Sequence, residues 1–190
     1  ELKKLDFDWN EFKKRRVHSP NLRYLVDDEI IVCELGPKIK EMDTLPSPYL
    51  NGVLDRFFEL PLSPMFETTR GCPFSCSFCA DGIMIKSRVR RFEDGRIREE
   101  LEYIAHRVDK ASMPGIADLN FAMYKQDLDT AGTIRSVIKK YNWPSRVETS
   151  MGKSQPERIG KVVDIINEAQ SGALKMRSSL QSTDPEVLKL

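Results

Sequence analysis

The spacing of apolar residues changes at regular intervals along the second half of the chain, which predicts strands alternating with helices. Short segments that read as strands lie at 65–69, 116–123, 146–150 and 173–180. Apolar residues recur every three or four positions in the segments between them, which predicts helices over 92–109, around 134–141 and over 154–166. Such alternation implies parallel pairing with right-handed crossovers. The predicted fold class is therefore α/β, with ligand sites at the carboxyl ends of the strands.

The first third of the chain has a different pattern. Residues 1–20 are charged and predict a solvated segment or a short helix, and 22–35 reads as two short strands joined near Asp27 and Asp28. Prolines punctuate 37–63, although apolar residues recur at helical spacing between 50 and 58. We therefore expect three parts: a small α/β or β-hairpin appendage over 1–36, a proline-rich linker with a short helix over 37–63, and a core over 64–190.

Composition narrows the class of protein. The 190 residues are 40 % hydrophobic and 31 % charged, with a net charge of +1, as expected of a globular protein without a strong field for nucleic acid. No apolar run approaches 18 residues and no signal peptide is visible, so we expect no membrane span and a cytoplasmic location. Pro185 and Glu186 begin a helical pattern close to the last residue, so the sequence reads as an excerpt of a longer protein.

Three of the four cysteines lie within eight residues, at the spacing C-x3-C-x2-C: Cys72, Cys76 and Cys79. Thiolates are soft ligands that favour iron–sulfur clusters, zinc and copper(I), and a cluster usually takes four of them. Three ligands on one loop leave one metal corner open to another molecule. A closed structural zinc site would need a fourth ligand, for which Cys33 is the candidate. Disulfides are disfavoured because the cysteines are few and three share one tight loop.

The cysteine loop resembles the cluster loop of radical S-adenosylmethionine (SAM) enzymes. The aromatic Phe78 precedes the last cysteine, and the string Phe66-Glu67-Thr68-Thr69-Arg70-Gly71-Cys72-Pro73 is similar to the entry to that loop in the cobalamin-linked branch. The resemblance implies a [4Fe–4S] cluster held by Cys72, Cys76 and Cys79, with SAM on the open iron. It also implies a partial (β/α) TIM-like barrel, here truncated after about four strands. The Asp-x-His-x-x-Gly motif of the family's cobalamin domain is absent, so any cobalamin site would lie in regions not present here.

The resemblance also implies SAM contacts, each with an ordinary alternative. Phe78 could pack near the adenine or simply pack within its loop. The segment that begins at Asp118 is similar to an Asp-x-Asn-Phe variant of the family's second-strand motif, and Asp118 and Asn120 share one strand face. They are candidates for the SAM amino group, with backbone capping as the alternative.

Later strands supply three more candidates. Glu148 lies where some family members contact SAM, and Gln181 belongs to a Gln-Ser pair that some relatives use near the ribose. Arg177 could reach a carboxylate or form an ion pair with Glu148.

The sequence therefore favours a radical SAM enzyme that cleaves SAM reductively to a 5′-deoxyadenosyl radical. The reaction would be methylation, cyclisation or rearrangement of an unidentified organic substrate, with a flavodoxin or ferredoxin as electron donor. The basic run from Lys86 to Arg91 could meet such a donor or an anionic substrate, or be a solvated loop. The main alternative is a non-catalytic iron–sulfur or zinc protein that uses Cys33 as fourth ligand. A degenerate domain that only binds a partner is disfavoured because all three loop cysteines are present.

Overall fold

The computed structural model describes residues 2–6, 8–109, 112–177 and 182–187. The chain divides into two compact units, residues 1–40 and residues 41–190. No helix in these described ranges is long and apolar enough to cross a membrane. The boundaries predicted at residues 36 and 63 stay predictions.

The first unit is a short helix followed by a β-hairpin. Helix α1 (Trp9–Lys14) precedes strands β1 (Arg23–Val26) and β2 (Glu29–Val32), which pair antiparallel. Asp27 and Asp28 form the two-residue turn, both with positive φ. Short polar side chains tolerate that conformation, which matches the right-handed twist of paired strands. The hairpin predicted from the sequence is confirmed.

The second unit combines a parallel sheet with helices. Its strands are β3 (Met65–Phe66), β4 (Thr69–Arg70), β5 (Arg90–Arg91), β6 (Gly115–Phe121) and β7 (Glu148–Met151). Its helices are α2 (Asp94–Arg107), α3 (Asp127–Tyr141) and α4 (Pro156–Asn167). The parallel sheet has the order β3-β6-β7, and β4 pairs antiparallel with β5. The predicted α/β class with a parallel sheet is confirmed.

The predicted helix faces form the core of this unit. The apolar residues at helical spacing in and just after α2 are all buried: Ile97, Leu101, Ile104, Ala105 and Val108. Ile134, Val137 and Ile138 of α3 and Ile159, Val162 and Ile166 of α4 are also buried. Tyr141 and Val163, which we expected on the same inner faces, are only partly buried against this core. Burial of these side chains is the main stabilising term for such layers, at about 25 cal/mol per Å² of apolar surface.

The strand predicted over 65–69 is split into β3 and β4. The carboxylate of Asp118 on β6 accepts hydrogen bonds from the backbone N–H groups of Thr68 and Thr69, at 2.7 and 3.0 Å. Those donors are therefore taken by a side chain, and the regular ladder to β6 stops after Phe66. The chain then turns toward β5, and this change of direction carries it into the cysteine loop.

The linker and the last predicted strand differ from expectation. Residues 50–58 form turns and one short 3-10 turn (Asp55–Phe57), because the chain bends at Gly52, whose φ is +70°. The Tyr49 hydroxyl donates to the carbonyl of Met65 at 2.6 Å and ties the linker to the start of β3. Residues 173–177 of the predicted fourth strand have no strand structure, and 178–181 lie outside the described residues.

Candidate functional site

The cysteine loop leaves the carboxyl end of the first parallel strand segment and returns through β5. At its base the backbone N–H of Cys72 donates to the carbonyl of Lys86 at 2.9 Å. Gly71 has a φ of +109°, and a Cβ there would lie 2.6 Å from the carbonyl oxygen of Arg88. Only glycine fits so close a backbone approach. Gly71 thus lets the base of the loop close against the backbone of Arg88.

A second glycine closes the loop around its last two cysteines. The backbone N–H of Cys79 donates to Cys76 O, and that of Gly82 donates to Cys79 O, both at 3.0 Å. A Cβ on Gly82 would lie 2.5 Å from Cys76 O, so the chain folds directly back on itself there. The N–H of Asp81 also points to the Cys79 sulfur, at 3.4 Å. Cys76 and Cys79 are exposed on this turn, and Cys72 is half-buried.

The three cysteines line one cavity of about 600 Å³. Of the predicted SAM contacts, Phe78, Asn120 and Arg177 belong to its lining. The cavity lies where β6 and β7 end, since it is also lined by Met151, the last residue of β7. This is the edge of a parallel sheet at which ligands are expected.

The donor set suits a thiolate-bound cluster. All four cysteines are free thiols, and those of Cys76 and Cys79 are exposed. In the described part of the chain, no three His, Cys, Asp or Glu side chains are gathered tightly enough to hold a metal ion. The three thiols therefore line a shared cavity without meeting at one point. Soft sulfur ligands and the glycine-lined turn fit a cluster, which would draw the thiols together on binding.

Asn120 has a direct contact with the first cysteine. Its side-chain Nδ2 lies 3.2 Å from the Cys72 sulfur, in a half-buried position at the end of β6. The amide orientation is assigned from this contact, since Nδ2 is the donor and sulfur the acceptor. Sequence reasoning paired Asn120 with SAM and missed the sulfur contact, because the two residues are 48 positions apart.

Asp118 lies beneath the loop and outside the cavity lining. It is 3 % exposed, and besides the two backbone N–H groups it accepts a short hydrogen bond from the Thr68 hydroxyl. Burial raises the pKa of the Asp118 carboxyl, and the hydrogen bonds from Thr68 and Thr69 oppose that rise. The capping alternative is thus present in the structure, and contact of Asp118 with SAM stays a prediction.

Glu148 and Arg177 form an ion pair at 2.7 Å, and Arg146 approaches the same carboxylate at 2.8 Å. The Glu148 side chain is 37 % exposed, at the start of β7. Arg177 lines the cavity, whereas Glu148 does not. The ion pair considered as an alternative is therefore formed, and SAM contact by either residue stays a prediction.

Phe78 projects into the open part of the cavity. Its ring is 66 % exposed, and the ammonium group of Lys153 lies 5.8 Å from the ring centre. An exposed aromatic face of this kind can stack on a flat ligand. Gln181 lies outside the described residues, so its predicted contact with the ribose has no structural counterpart here.

Sequence reasoning missed a polar cluster next to the cavity. Asp127 is fully buried at the start of α3, where it accepts from the backbone N–H of Tyr124 at 2.9 Å and pairs with Arg91 at 3.1 Å. Burial raises the pKa of Asp127 to about 6, although Tyr124 and Arg91 oppose the rise. An acidic residue at a helix start was the available signal. Arg91 therefore has internal partners and is not a solvated charge.

Tyr124 is the other part of this cluster. Its hydroxyl oxygen is buried and has no hydrogen-bond partner among the described residues. Burial raises the pKa of Tyr124 to about 12, and the neighbouring Cys72, Asp127 and Asp118 add to the rise. The hydroxyl therefore stays protonated at neutral pH, as a donor close to the first cysteine.

Comparisons with known proteins identify two relatives of this chain. The chain is 36 % identical over 167 residues to the cobalamin-dependent radical SAM methyltransferase TokK of Streptomyces tokunonensis, a match over 82 % of this chain and 24 % of TokK. It is 32 % identical over 151 residues to a 2-(S-pantetheinyl)-carbapenam-3-carboxylate methyltransferase of Streptantibioticus cattleyicolor, over 76 % of this chain and 22 % of that protein. The chain thus spans about a quarter of the length of these relatives. No family model matches it.

A solved structure shares the fold. The cobalamin-dependent SAM radical enzyme OxsB, with aqua-cobalamin bound, superposes with a TM-score of 0.57 at 16 % identity, over 100 % of this chain and 28 % of OxsB. The form with SAM also bound gives 0.55, over 91 % and 26 %. The match to TokK relates the chain to the cobalamin-linked branch of the radical SAM superfamily. Both of these relatives are enzymes.

Proposed function

We propose that this chain forms the cluster and SAM site of a radical SAM enzyme. Cys72, Cys76 and Cys79 would bind three irons of a [4Fe–4S] cluster and leave the fourth for the amino and carboxylate groups of SAM. The observation that carries the proposal is the cavity of about 600 Å³, lined by all three thiols at the carboxyl end of a parallel sheet. When bound, the reduced cluster supplies one electron that breaks the S–C5′ bond of SAM.

The other cavity residues would hold and orient SAM. The exposed ring of Phe78 offers a face for the adenine. Arg177 keeps a cation at the cavity edge, where a carboxylate could compete with Glu148 for it. Asn120 reaches the cavity beside Cys72, close to where an amino group would meet the open iron. We retain Asp118, Glu148 and Gln181 as proposed SAM contacts from the family resemblance.

Methylation is the favoured reaction, because both curated relatives are methyltransferases. The name of TokK also favours a cobalamin-dependent reaction, but these residues lack the Asp-x-His-x-x-Gly motif, so we propose no cobalamin contact within this chain. The substrate would be an organic molecule with an unreactive carbon. A flavodoxin-like or ferredoxin-like protein would deliver the electron, and the proposed location is cytoplasmic.

We also propose that residues 64–190 form the first β/α units of a partial barrel. The order β3-β6-β7, with α2 and α3 in the connections, supports this because each crossover places a helix against a parallel pair. Residues 37–63 would be a linker and 1–36 an appendage or the end of a preceding domain.

The test is anaerobic reconstitution with iron and sulfide, followed by EPR of the reduced protein with and without SAM. A [4Fe–4S] signal that shifts when SAM is added supports an open iron occupied by SAM. A signal indifferent to SAM, or tight stoichiometric zinc, would instead favour the electron-transfer or structural alternative. The Cys33→Ser variant separates the two readings: it keeps the cluster if only three cysteines bind, and loses the metal if Cys33 is the fourth ligand.

A further inference from the structure

One hydrogen-bond donor contacts a loop cysteine, and a second, unpaired donor is carried four residues further along the chain. The first is the amide of Asn120, whose Nδ2 lies 3.2 Å from the Cys72 sulfur. A hydrogen bond to sulfur leaves less negative charge on that atom and fixes its direction. Cys76 has no such side-chain donor among the hydrogen bonds of the described residues, so Cys72 differs from it.

The second donor is the hydroxyl of Tyr124. It is buried without a hydrogen-bond partner in the described part of the chain, and it belongs to the same turn as Asn120, whose amide contacts Cys72. A buried hydroxyl without a hydrogen-bond partner destabilises the folded protein, so such a group calls for an explanation. A cluster held by Cys72 would bring sulfur acceptors into this region.

The backbone fixes where the hydroxyl lies. The N–H of Tyr124 donates to Asp127 at 2.9 Å, and Asp127 is in turn held by Arg91. Between Asn120 and Tyr124 the chain reverses at Ala122, which is fully buried with a φ of +68°. A non-glycine residue in this conformation persists only when its surroundings fix it. The two donors are therefore carried on one rigid turn at the end of β6.

We propose that Asn120 and Tyr124 are positioning residues that donate hydrogen bonds toward the cluster corner bound by Cys72 and thereby raise the cluster's reduction potential. This inference rests on the proposed function, because it needs the cluster to bind. One-electron reduction adds a negative charge that is shared by the cluster and its cysteine sulfurs. Donors aimed at those sulfurs stabilise the reduced form more than the oxidised form, and no proton is transferred. The electron comes from an external one-electron reductant.

The experiment is a potentiometric titration of the reconstituted full chain with dithionite, followed by EPR. The variants are Tyr124→Phe, which removes one oxygen, Asn120→Leu, which removes the amide, and Asn120→Asp, which replaces it with a charge. Matched controls are Tyr141→Phe, whose hydroxyl contacts Glu102, and Asn51→Asp at an exposed position. Neither control residue lines the cavity.

At a potential that half-reduces the unaltered protein, we expect Tyr124→Phe and Asn120→Leu each to lower the ratio of reduced to oxidised cluster by about three- to tenfold. Asn120→Asp should lower it further, because a carboxylate beside the sulfur repels the added electron. Both controls should leave the ratio unchanged. A purely structural role for the two residues would change cluster loading or stability but not this ratio.

The outcomes separate the two proposals. If the unaltered chain forms no SAM-responsive cluster, the proposed function fails. If the cluster forms and all three variants keep the ratio within twofold of the unaltered protein, the donor role is overturned while the proposed function stands. If Asn120→Leu fails to load a cluster, Tyr124→Phe and Asn120→Asp still decide the question, since both nearly preserve side-chain size.

Discussion

The cysteine loop and the layers beneath it differ in how firmly the surrounding protein holds them. On the loop, Phe78 is 66 % exposed and Met84 is 89 % exposed. Beneath it, Asp118 is 3 % exposed with every carboxylate oxygen bonded, and Ile104 on α2 is completely buried. The residues that carry the proposed chemistry thus lie on a lightly packed segment, and the residues that position this segment lie in a fully packed one.

This contrast suits a loop that binds a cluster. Segments with few buried contacts open at low free-energy cost, whereas buried layers open only with global unfolding. The loop depends on backbone hydrogen bonds and on the close approaches at Gly71 and Gly82, and ligation of a cluster would add the remaining constraint. Substitutions in the exposed loop and in its buried support should therefore have different effects, and loss of a cluster ligand should have the largest.

The first prediction concerns Cys76, an exposed loop thiol. Cys76→Ser should abolish stable cluster binding, measured as iron and sulfide per chain and as EPR after reconstitution. The same change should alter the free energy of unfolding of the cluster-free protein by less than about 0.5 kcal/mol, since the side chain makes little packing contact.

Cys33→Ser is the matched control, with the opposite expectation. Cys33 is 7 % exposed, so adding a hydroxyl there should cost about 1 kcal/mol or more of stability while leaving the cluster intact. If Cys76→Ser lowered the stability but kept the cluster, the loop would contribute to folding and not to cluster binding, which would contradict the contrast between the two regions.

The second prediction concerns Asp118, which supports the entry to the loop. Asp118→Ala should lower the free energy of unfolding by about 3 kcal/mol, because it leaves the buried N–H groups of Thr68 and Thr69 without an acceptor. Urea unfolding measures the change. Asp118→Asn is the control and should cost less, since its amide oxygen can still accept from both donors. A cost below about 1 kcal/mol for Asp118→Ala would show that the loop entry does not depend on this carboxylate.

The third prediction concerns Asp127 and pH. Its folded-state pKa of about 6 exceeds the ordinary value, so the folded protein holds this proton to higher pH than the unfolded chain does. The contribution of Asp127 is therefore fully present below about pH 4 and lost as pH rises through about 6, a change of about 3 kcal/mol.

The measurement is the stability of the unaltered protein and of Asp127→Asn between pH 4 and pH 7. The difference between the two should shrink or reverse as pH rises, since only the unaltered protein loses this contribution. Other titrating groups, Asp118 among them, are shared by both proteins and cancel. Parallel pH profiles would contradict the raised pKa of Asp127.

The buried helix faces of the core were predictable from the sequence, because the spacing of apolar residues along a helix shows which side chains share its inner face. The spacing of Ile97, Leu101 and Ile104 could arise only from one helix face, and that face is buried. The split of the first strand was not predictable, because it depends on Asp118 bonding to Thr68 and Thr69 about 50 positions away. Local propensity carries no information about such a partner.

The candidate site likewise has features that the sequence predicted and features that it did not. The cysteine spacing placed three thiols on one loop, and the structure adds that they share a cavity with Asn120. The buried hydroxyl of Tyr124 and its link to Asp127 left no signal in the sequence, because they depend on the turn at Ala122. Contacts made within a motif could thus be read from the sequence, and contacts made by folding could not.

The last prediction compares one side chain from each region. Ile104→Val removes a single methylene from a fully buried position and should cost about 1 kcal/mol of unfolding free energy. Met84→Ala removes a larger side chain from the loop, but Met84 is 89 % exposed, so the change should stay within about 0.3 kcal/mol. Urea titrations of the cluster-free protein under identical conditions measure both changes. A larger cost for Met84→Ala than for Ile104→Val would mean that the loop packs against part of the protein even without a cluster, and the contrast between the two regions would then lose its physical basis.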